Sequence, residues 1–147
     1  MARELEVEEM ARILGGTRAL GRRVVSYPDL IRAIRNGLPY RCIEALSSLL
    51  KWPRSSLCSI LRIPERTFAR RKAEARLRAS ESDCLVRLAH VVAQAIRVLG
   101  SAEKAARWME TPNRALGQEP PLSWLDTEIG ARQVENVLGR IEFGVYS

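Results

Sequence analysis

Six residues in one short stretch could do the most specific chemistry in this chain: Arg66, Thr67, Arg70, Arg71, Lys72 and Arg76. An arginine fork matches guanine O6 and N7, and a threonine can touch a base edge or a thymine methyl. Lysine and the later arginines, Arg76 and Arg78, suit phosphate oxygens. Between Arg62 and Arg78 there are seven basic and two acidic residues, a net of +5. A solvated helix face would show the same charge, so the surrounding elements must decide between the two.

Enzyme chemistry finds little support. The single histidine, His90, falls inside a long helical pattern with no hydroxyl or thiol at a suggestive spacing. The Gly15–Gly21 stretch lacks both the Gly-Lys-Ser/Thr ending and the preceding strand of a phosphate loop. Glu103, Glu110, Asp126 and Glu128 are placed to cap and solvate helices rather than to form an acid–base pair. Cys42, Cys58 and Cys84 form no metal-ligand spacing and read as reduced thiols. No cofactor and no metal are expected.

The elements that must position the basic stretch are all helical. Leu5, Met10, Ile13 and Leu14 recur at helical spacing until Gly15-Gly16, and Thr17–Val25 reads as a basic connector. Ser26 caps a helix over Pro28–Arg35, with Leu30, Ile31 and Ile34 inward. Tyr40–Leu50 follows, carrying Ile43, Leu46, Leu49 and Leu50. Ser55–Leu61, the turn Arg62-Ile63-Pro64 and Glu65–Leu77 have the layout of a helix-turn-helix. In it Ile63 plugs the turn and Phe68 anchors the second helix. That layout favours DNA contact over the solvated-face alternative.

Beyond it, Ser80-x-x-Asp83 resembles a capping box opening a helix through Leu99. Leu85, Leu88, Val91, Val92, Ala95, Ile96 and Leu99 form its apolar stripe. Ser101 caps a helix to Glu110, and Thr111–Pro121 is a loop. Leu122–Leu125 makes a helical turn. Asp126 or Thr127 caps a last helix, with Ile129, Val134, Val137, Leu138 and Ile141 inward. Gly144 ends it. No alternating strand and no repeat interrupts this series, so the fold class is all-α.

Charge divides the chain. Its net of +7 is uneven: residues 1–80 hold 17 Lys and Arg against 8 Asp and Glu, and residues 81–147 hold 7 against 9. The basic surplus suits a polyanion and belongs to the first part alone. Arg18, Arg22 and Arg23 in the connector could form a phosphate-binding arm or an exposed linker. The expected organisation is a variable segment over 1–26, a helix-turn-helix domain over 27–80 and a second helical domain over 81–147. The acidic N-terminus is unlike a signal peptide, and no apolar run reaches the roughly 20 residues of a membrane span. A cytoplasmic protein is expected.

The second half carries an ordered motif series. Gly100-Ser101-x-Glu103-Lys104-Ala105-x-x-Trp108-Met109 leads to Thr111-Pro112-Asn113-Arg114-Ala115-Leu116-Gly117. Pro120-Pro121-Leu122, Thr127-Glu128-x-Gly130-Ala131-x-x-Val134 and Leu138-Gly139-Arg140-Ile141-Glu142-x-Gly144-Val145-Tyr146 follow. This series resembles the toxin-binding domain of the Xre/MbcA/ParS antitoxin family. Ile63–Arg71 with Glu81-Ser82-Asp83 is similar to the Xre-type helix-turn-helix that precedes it there. The likeness runs from about Tyr27 to the C-terminus. Met109 stands where the family commonly has Leu, and Gln118-Glu119 where a small residue is common.

The resemblance implies a type II antitoxin with no enzymatic activity, which neutralises a cognate RES-domain toxin and represses its own operon. Such toxins are NAD-degrading or ADP-ribosyltransferase-like enzymes. It further implies that the C-terminal segment closes the toxin's active site, here through Arg140, Ile141, Glu142, Phe143, Gly144, Val145, Tyr146 and Ser147. Phe143 and Tyr146 are aromatic anchors of the kind enriched at interface hot spots; the alternative is a pair that seals this chain's own core. Trp108 and Trp124 read as core residues bracketing the loop. Two-fold operators favour a homodimer within a toxin–antitoxin hetero-oligomer. A rival reading is a stand-alone DNA-binding regulator whose second half only dimerises.

Overall fold

The computed structural model describes residues 2–144. Among these residues nine α-helices and two 3-10 turns follow one another, and no strand forms. The all-α expectation holds. α1 (Ala2–Ile13) stops at Gly15, whose φ of +100° closes the helix. A second helix, α2 (Gly16–Leu20), follows where a connector was expected. Its sequence has no helical signal of its own. Burial of Ala19 and Leu20, with packing on α1 and α4, makes the turn. Tertiary contact is the usual source of stability in so short a helix.

α3 (Tyr27–Asn36) begins as expected at Ser26, whose hydroxyl accepts from the Asp29 N–H at 3.3 Å. Its core face is Leu30 and Ala33, with Ile34 half-buried. Ile31 turns outward, 44% exposed, and corrects the expectation that it faces inward. One residue past Leu30 it lies 100° around the helix, off the stripe that 30, 33 and 34 define. α4 (Arg41–Leu50) and α5 (Arg54–Leu61) follow, then α6 (Glu65–Glu74).

α6 ends at Glu74 and not at Leu77. Ala75 adopts a left-handed conformation, φ +62°, and the chain then pairs antiparallel with the segment between α3 and α4. The Tyr40 N–H donates to the Ala75 carbonyl at 3.0 Å, and the Leu77 N–H to the Leu38 carbonyl at 2.8 Å. Gly37 makes this crossing possible, because a Cβ there would run into the Leu77 carbonyl.

α7 (Ala79–Leu99) is the hub, touching α1, α3, α5, α8 and α9. Leu85, Leu88, Val91, Val92 and Ala95 are buried as the stripe predicts. Val86, Ala89 and Ala93 are buried too, because helices cover α7 on more than one side. Its capping box sits two residues earlier than expected: Arg78 is the N-cap, and Glu81 accepts its N–H at 2.8 Å. Buried Ser82 joins this turn to the α3–α4 crossing, accepting from the Leu38 N–H and donating to the Arg78 carbonyl, both at 2.8 Å.

α8 (Ala102–Glu110) is capped by Ser101 and leads to the turns Arg114–Leu116 and Pro121–Trp124. Asn113 clips the loop between them, its N–H donating to the Glu119 carbonyl at 3.0 Å. Trp108 and Trp124 pack half-buried against the core on either side. Thr127 caps α9 (Glu128–Glu142) by accepting from the Gly130 N–H at 3.0 Å. A Cβ at Gly130 would meet the Trp124 carbonyl, so glycine permits the close approach of α9 to the loop. Val134, Val137 and Leu138 face inward as expected, but Ile129 is 74% exposed. It lies in the first turn of α9, where among the described residues no other element covers it.

Candidate nucleic-acid interface and partner-binding helix

α5, the turn and α6 form the expected pair of helices. Arg62 supplies the left-handed turn residue, φ +58°, and Ile63 is buried beneath it. Phe68 is almost wholly buried and meets Tyr40 edge-on, ring centroids 5.6 Å apart. The Arg54 guanidinium lies over the Phe68 ring, 5.8 Å from its centroid. These contacts fix how α6 is rotated on the body.

That rotation sorts the six basic-stretch residues. Arg66, Arg70 and Lys72 project into solvent and Thr67 is half-buried beside them. Arg66 and Arg70 are one turn apart on the same face, with Ala69 and Ala73 between and after them. A face with short side chains between two arginines can approach a groove closely.

Arg71 is corrected. It is 7% exposed, not on the outer face. Its Nε donates to Glu81 at 2.8 Å and its Nη1 to Glu74 at 3.2 Å. One residue past Arg70 turns it 100° toward the core, where the first turn of α7 offers a carboxylate. Burial opposes ionisation of Glu81, but Arg71 and the Arg78 N–H outweigh it and hold that carboxyl below its ordinary range. Arg76 is exposed, and its Nη1 donates to the Gly37 carbonyl at 2.6 Å. It thereby closes the C-terminal end of α3.

The second candidate surface is on α9, which packs against α7. Arg140 and Glu142 are exposed, and Ile141 packs partly against the core. Phe143, just past the helix, is 77% exposed, so it does not seal this chain's own core. Gly144 follows at φ +68°. Val145, Tyr146 and Ser147 lie outside the described residues. Sequence reasoning missed exposed Ile129, since periodicity cannot tell an apolar residue on an uncovered turn from a core one.

Sequence reasoning also missed what holds His90. Its Nδ1 lies 2.7 Å from Glu135 of α9, and its Nε2 2.6 Å from Glu6 of α1. Both partners accept only, so the ring satisfies both by carrying two protons. The bond to Glu135 leads in raising the imidazole pKa to about 9, against partial burial and with help from Glu6. The Tyr27 hydroxyl, donating at 2.6 Å, and then His90 hold the Glu6 carboxyl below its ordinary value, against partial desolvation. An imidazolium with both N–H groups committed has no free nitrogen for general-base work. The cluster bolts α1, α7 and α9 together. Among the described residues no group of three His, Cys, Asp or Glu could hold a metal ion, and no single helix is long and apolar enough to cross a membrane.

A helix-turn-helix with a basic outer face is joined through a shared hub helix to a last helix that ends in an exposed aromatic. The family described as the antitoxin Xre-like helix-turn-helix domain matches residues 29–90, and the antitoxin Xre/MbcA/ParS C-terminal toxin-binding domain matches residues 94–144. The chain is similar to antitoxin Xre of Photorhabdus laumondii, 34% identical over 88% of this chain and 89% of the relative. It is 32% identical to antitoxin Xre of Yersinia enterocolitica, over 80% of this chain and 81% of that one. With antitoxin Xre of Pseudomonas putida the identity is 40% over 56% of this chain and 52% of the relative. The chain belongs to the Xre/MbcA/ParS antitoxin family.

Proposed function

We propose that this chain is the antitoxin of a type II toxin–antitoxin pair, acts without enzymatic chemistry, and works in the cytoplasm as a homodimer within a hetero-oligomer with its toxin. Residues 81–147 hold the toxin, a RES-domain enzyme, and the segment Arg140–Ser147 enters and closes its active site. Residues 27–80 bind operator DNA through Arg66, Thr67, Arg70 and Lys72 and repress the antitoxin's own operon. Arg71 supports that surface from within, and Arg76 flanks it at the exit of α6. The observation that carries this reading is Phe143, a large apolar side chain left in solvent at the end of a helix inside the toxin-binding match. Exposed aromatics of this kind act as anchors for a partner pocket.

The test is co-expression with the protein encoded by the neighbouring gene. The expected result is rescue of growth and a complex that co-purifies. Truncation before Phe143 should abolish rescue while binding to the DNA upstream of the gene persists. A chain that binds this DNA but neither captures nor neutralises the neighbour's product would instead be a stand-alone regulator.

A further inference from the structure

The N-terminal segment outside both family matches contributes to a cavity of about 510 Å³ at the junction of α2, α3, α4 and the exit of α6. Four cations line it: Arg22 from the α2–α3 connection, Arg41 at the start of α4, Lys72 on α6 and Arg76 just past it. Glu44 is its one carboxylate. Among the described residues, the side chains of Arg22, Arg41 and Lys72 make no hydrogen bond or ion pair. The Arg41 guanidinium reaches Gly21, 3.8 Å from where a Cβ would sit, and lines the same cavity as Arg22. α4 opens at this cavity from Tyr40, but its first N–H groups are taken, Cys42 donating to the Pro39 carbonyl at 3.0 Å and Ile43 to the Tyr40 carbonyl at 2.9 Å, so the side-chain cations carry the field.

Arg76 closes the end of α3, but among the described residues nothing in the fold pairs with Arg22, Arg41 or Lys72. Like charges in a concave wall repel, and a single carboxylate does not balance them. Such an arrangement is stabilised by an anion, and the groups on offer match phosphate oxygens: guanidinium forks and an ammonium. Two of the cations, Lys72 and Arg76, belong to the recognition helix and its exit. Lys72 lies two residues past Arg70, about 200° round α6, so the cavity borders the flank of that helix, where a duplex read by the Arg66–Arg70 face would bring a backbone strand.

We propose that this cavity is a phosphate site that takes the DNA backbone flanking the bases read by α6, with Arg22 and Arg41 as its positioning contacts. The inference rests on α6 being the DNA-reading helix and adds to it a second, sequence-independent grip from the N-terminal segment.

The experiment uses the full chain and a duplex from immediately upstream of its gene, with affinity measured across salt concentrations. Each phosphate contact contributes about 0.9 to the slope of log K against log salt. Arg22→Gln and Arg41→Gln should each flatten that slope by about one and weaken binding several-fold, with the preference for this duplex over a scrambled one unchanged. Glu44→Gln should tighten binding. The first two side chains are exposed and unpaired, so melting temperatures should hold. Unchanged slopes in both arginine variants, in a chain whose Arg66→Ala and Arg70→Ala forms do lose affinity, would overturn the site but spare the recognition helix. A wild-type chain that does not prefer this duplex overturns both. Side-chain NMR signals of Arg22 and Arg41 that shift with inorganic pyrophosphate but not with DNA would identify a small-molecule site and overturn the backbone assignment.

Discussion

Arg71 of α6 donates from Nε to Glu81 in the first turn of α7 at 2.8 Å, with both side chains largely withdrawn from water. Glu81 accepts the Arg78 N–H at the same time. One carboxylate therefore starts α7 and fixes the roll of α6. Breaking a buried pair from one side leaves an uncompensated charge, at a cost of about 3 kcal/mol or more. Arg71→Ala should lower the denaturation midpoint accordingly. Arg71→Met with Glu81→Leu should recover part of the loss, since both charges are then gone. Urea titrations of the two variants check this; a single variant as stable as wild type would remove Arg71 from the frame.

Arg70 is expected to behave in the opposite way. It is exposed, so Arg70→Ala should change stability by no more than about 0.5 kcal/mol. Its affinity for operator DNA should fall by about 1–3 kcal/mol, with relaxed preference at one base position if it reads a base. Fluorescence anisotropy on wild-type and singly substituted duplexes separates the two neighbours.

Phe143→Ala should leave the fold intact, because the ring contacts solvent rather than core. If it anchors the toxin, affinity should drop by about 2 kcal/mol or more. Calorimetric titration with the toxin, beside a thermal melt of the free antitoxin, measures both. Equal toxin affinity in the variant would place the contact elsewhere on α9.

The His90 cluster predicts a pH dependence. The folded pKa, about 9, lies above the ordinary 6.5, so the folded state binds the proton more tightly. The resulting stabilisation is complete below pH 6.5 and is lost as pH rises through 9. The ring is about a third exposed, and after solvent screening the effect should be roughly 1 kcal/mol. Glu6 works with the opposite sign, its share fading only as pH falls below the usual carboxylate range. Chemical denaturation at pH 6 and pH 9.5 should show the loss in wild type and not in His90→Ala.

Gly37→Ala should be far more damaging than Gly117→Ala. Both residues have positive φ, worth about 1–2 kcal/mol against a side chain. Only at Gly37 does a Cβ also strike backbone, the Leu77 carbonyl; at Gly117 it meets open space. Melting temperatures of the two variants should differ by several degrees.

Much of this was legible along the chain. Ser26, Ser101 and Thr127 cap helices where their side chains can reach an N–H three residues on, a local geometry that neighbours in sequence settle. The stripe of α7, the plug at Ile63 and the anchor at Phe68 follow from helical period and turn chemistry. What escaped were features made by residues far apart. α2 exists because α1 and α4 cover it, α6 stops early because residues 38–40 claim its next backbone groups, and Ile129 is exposed because among the described residues nothing covers it.

The helix-turn-helix returns in a sharper form. By itself the sequence determined that Arg66–Arg76 is basic, helical at its start and placed after a tight turn, since charge and periodicity are local properties. Only the tertiary structure decided which of those cations face outward. Neighbours on a helix point 100° apart, and where Glu81 lies relative to α6 depends on contacts across ten residues of chain. So Arg70 meets solvent while Arg71, beside it in sequence, holds the frame together.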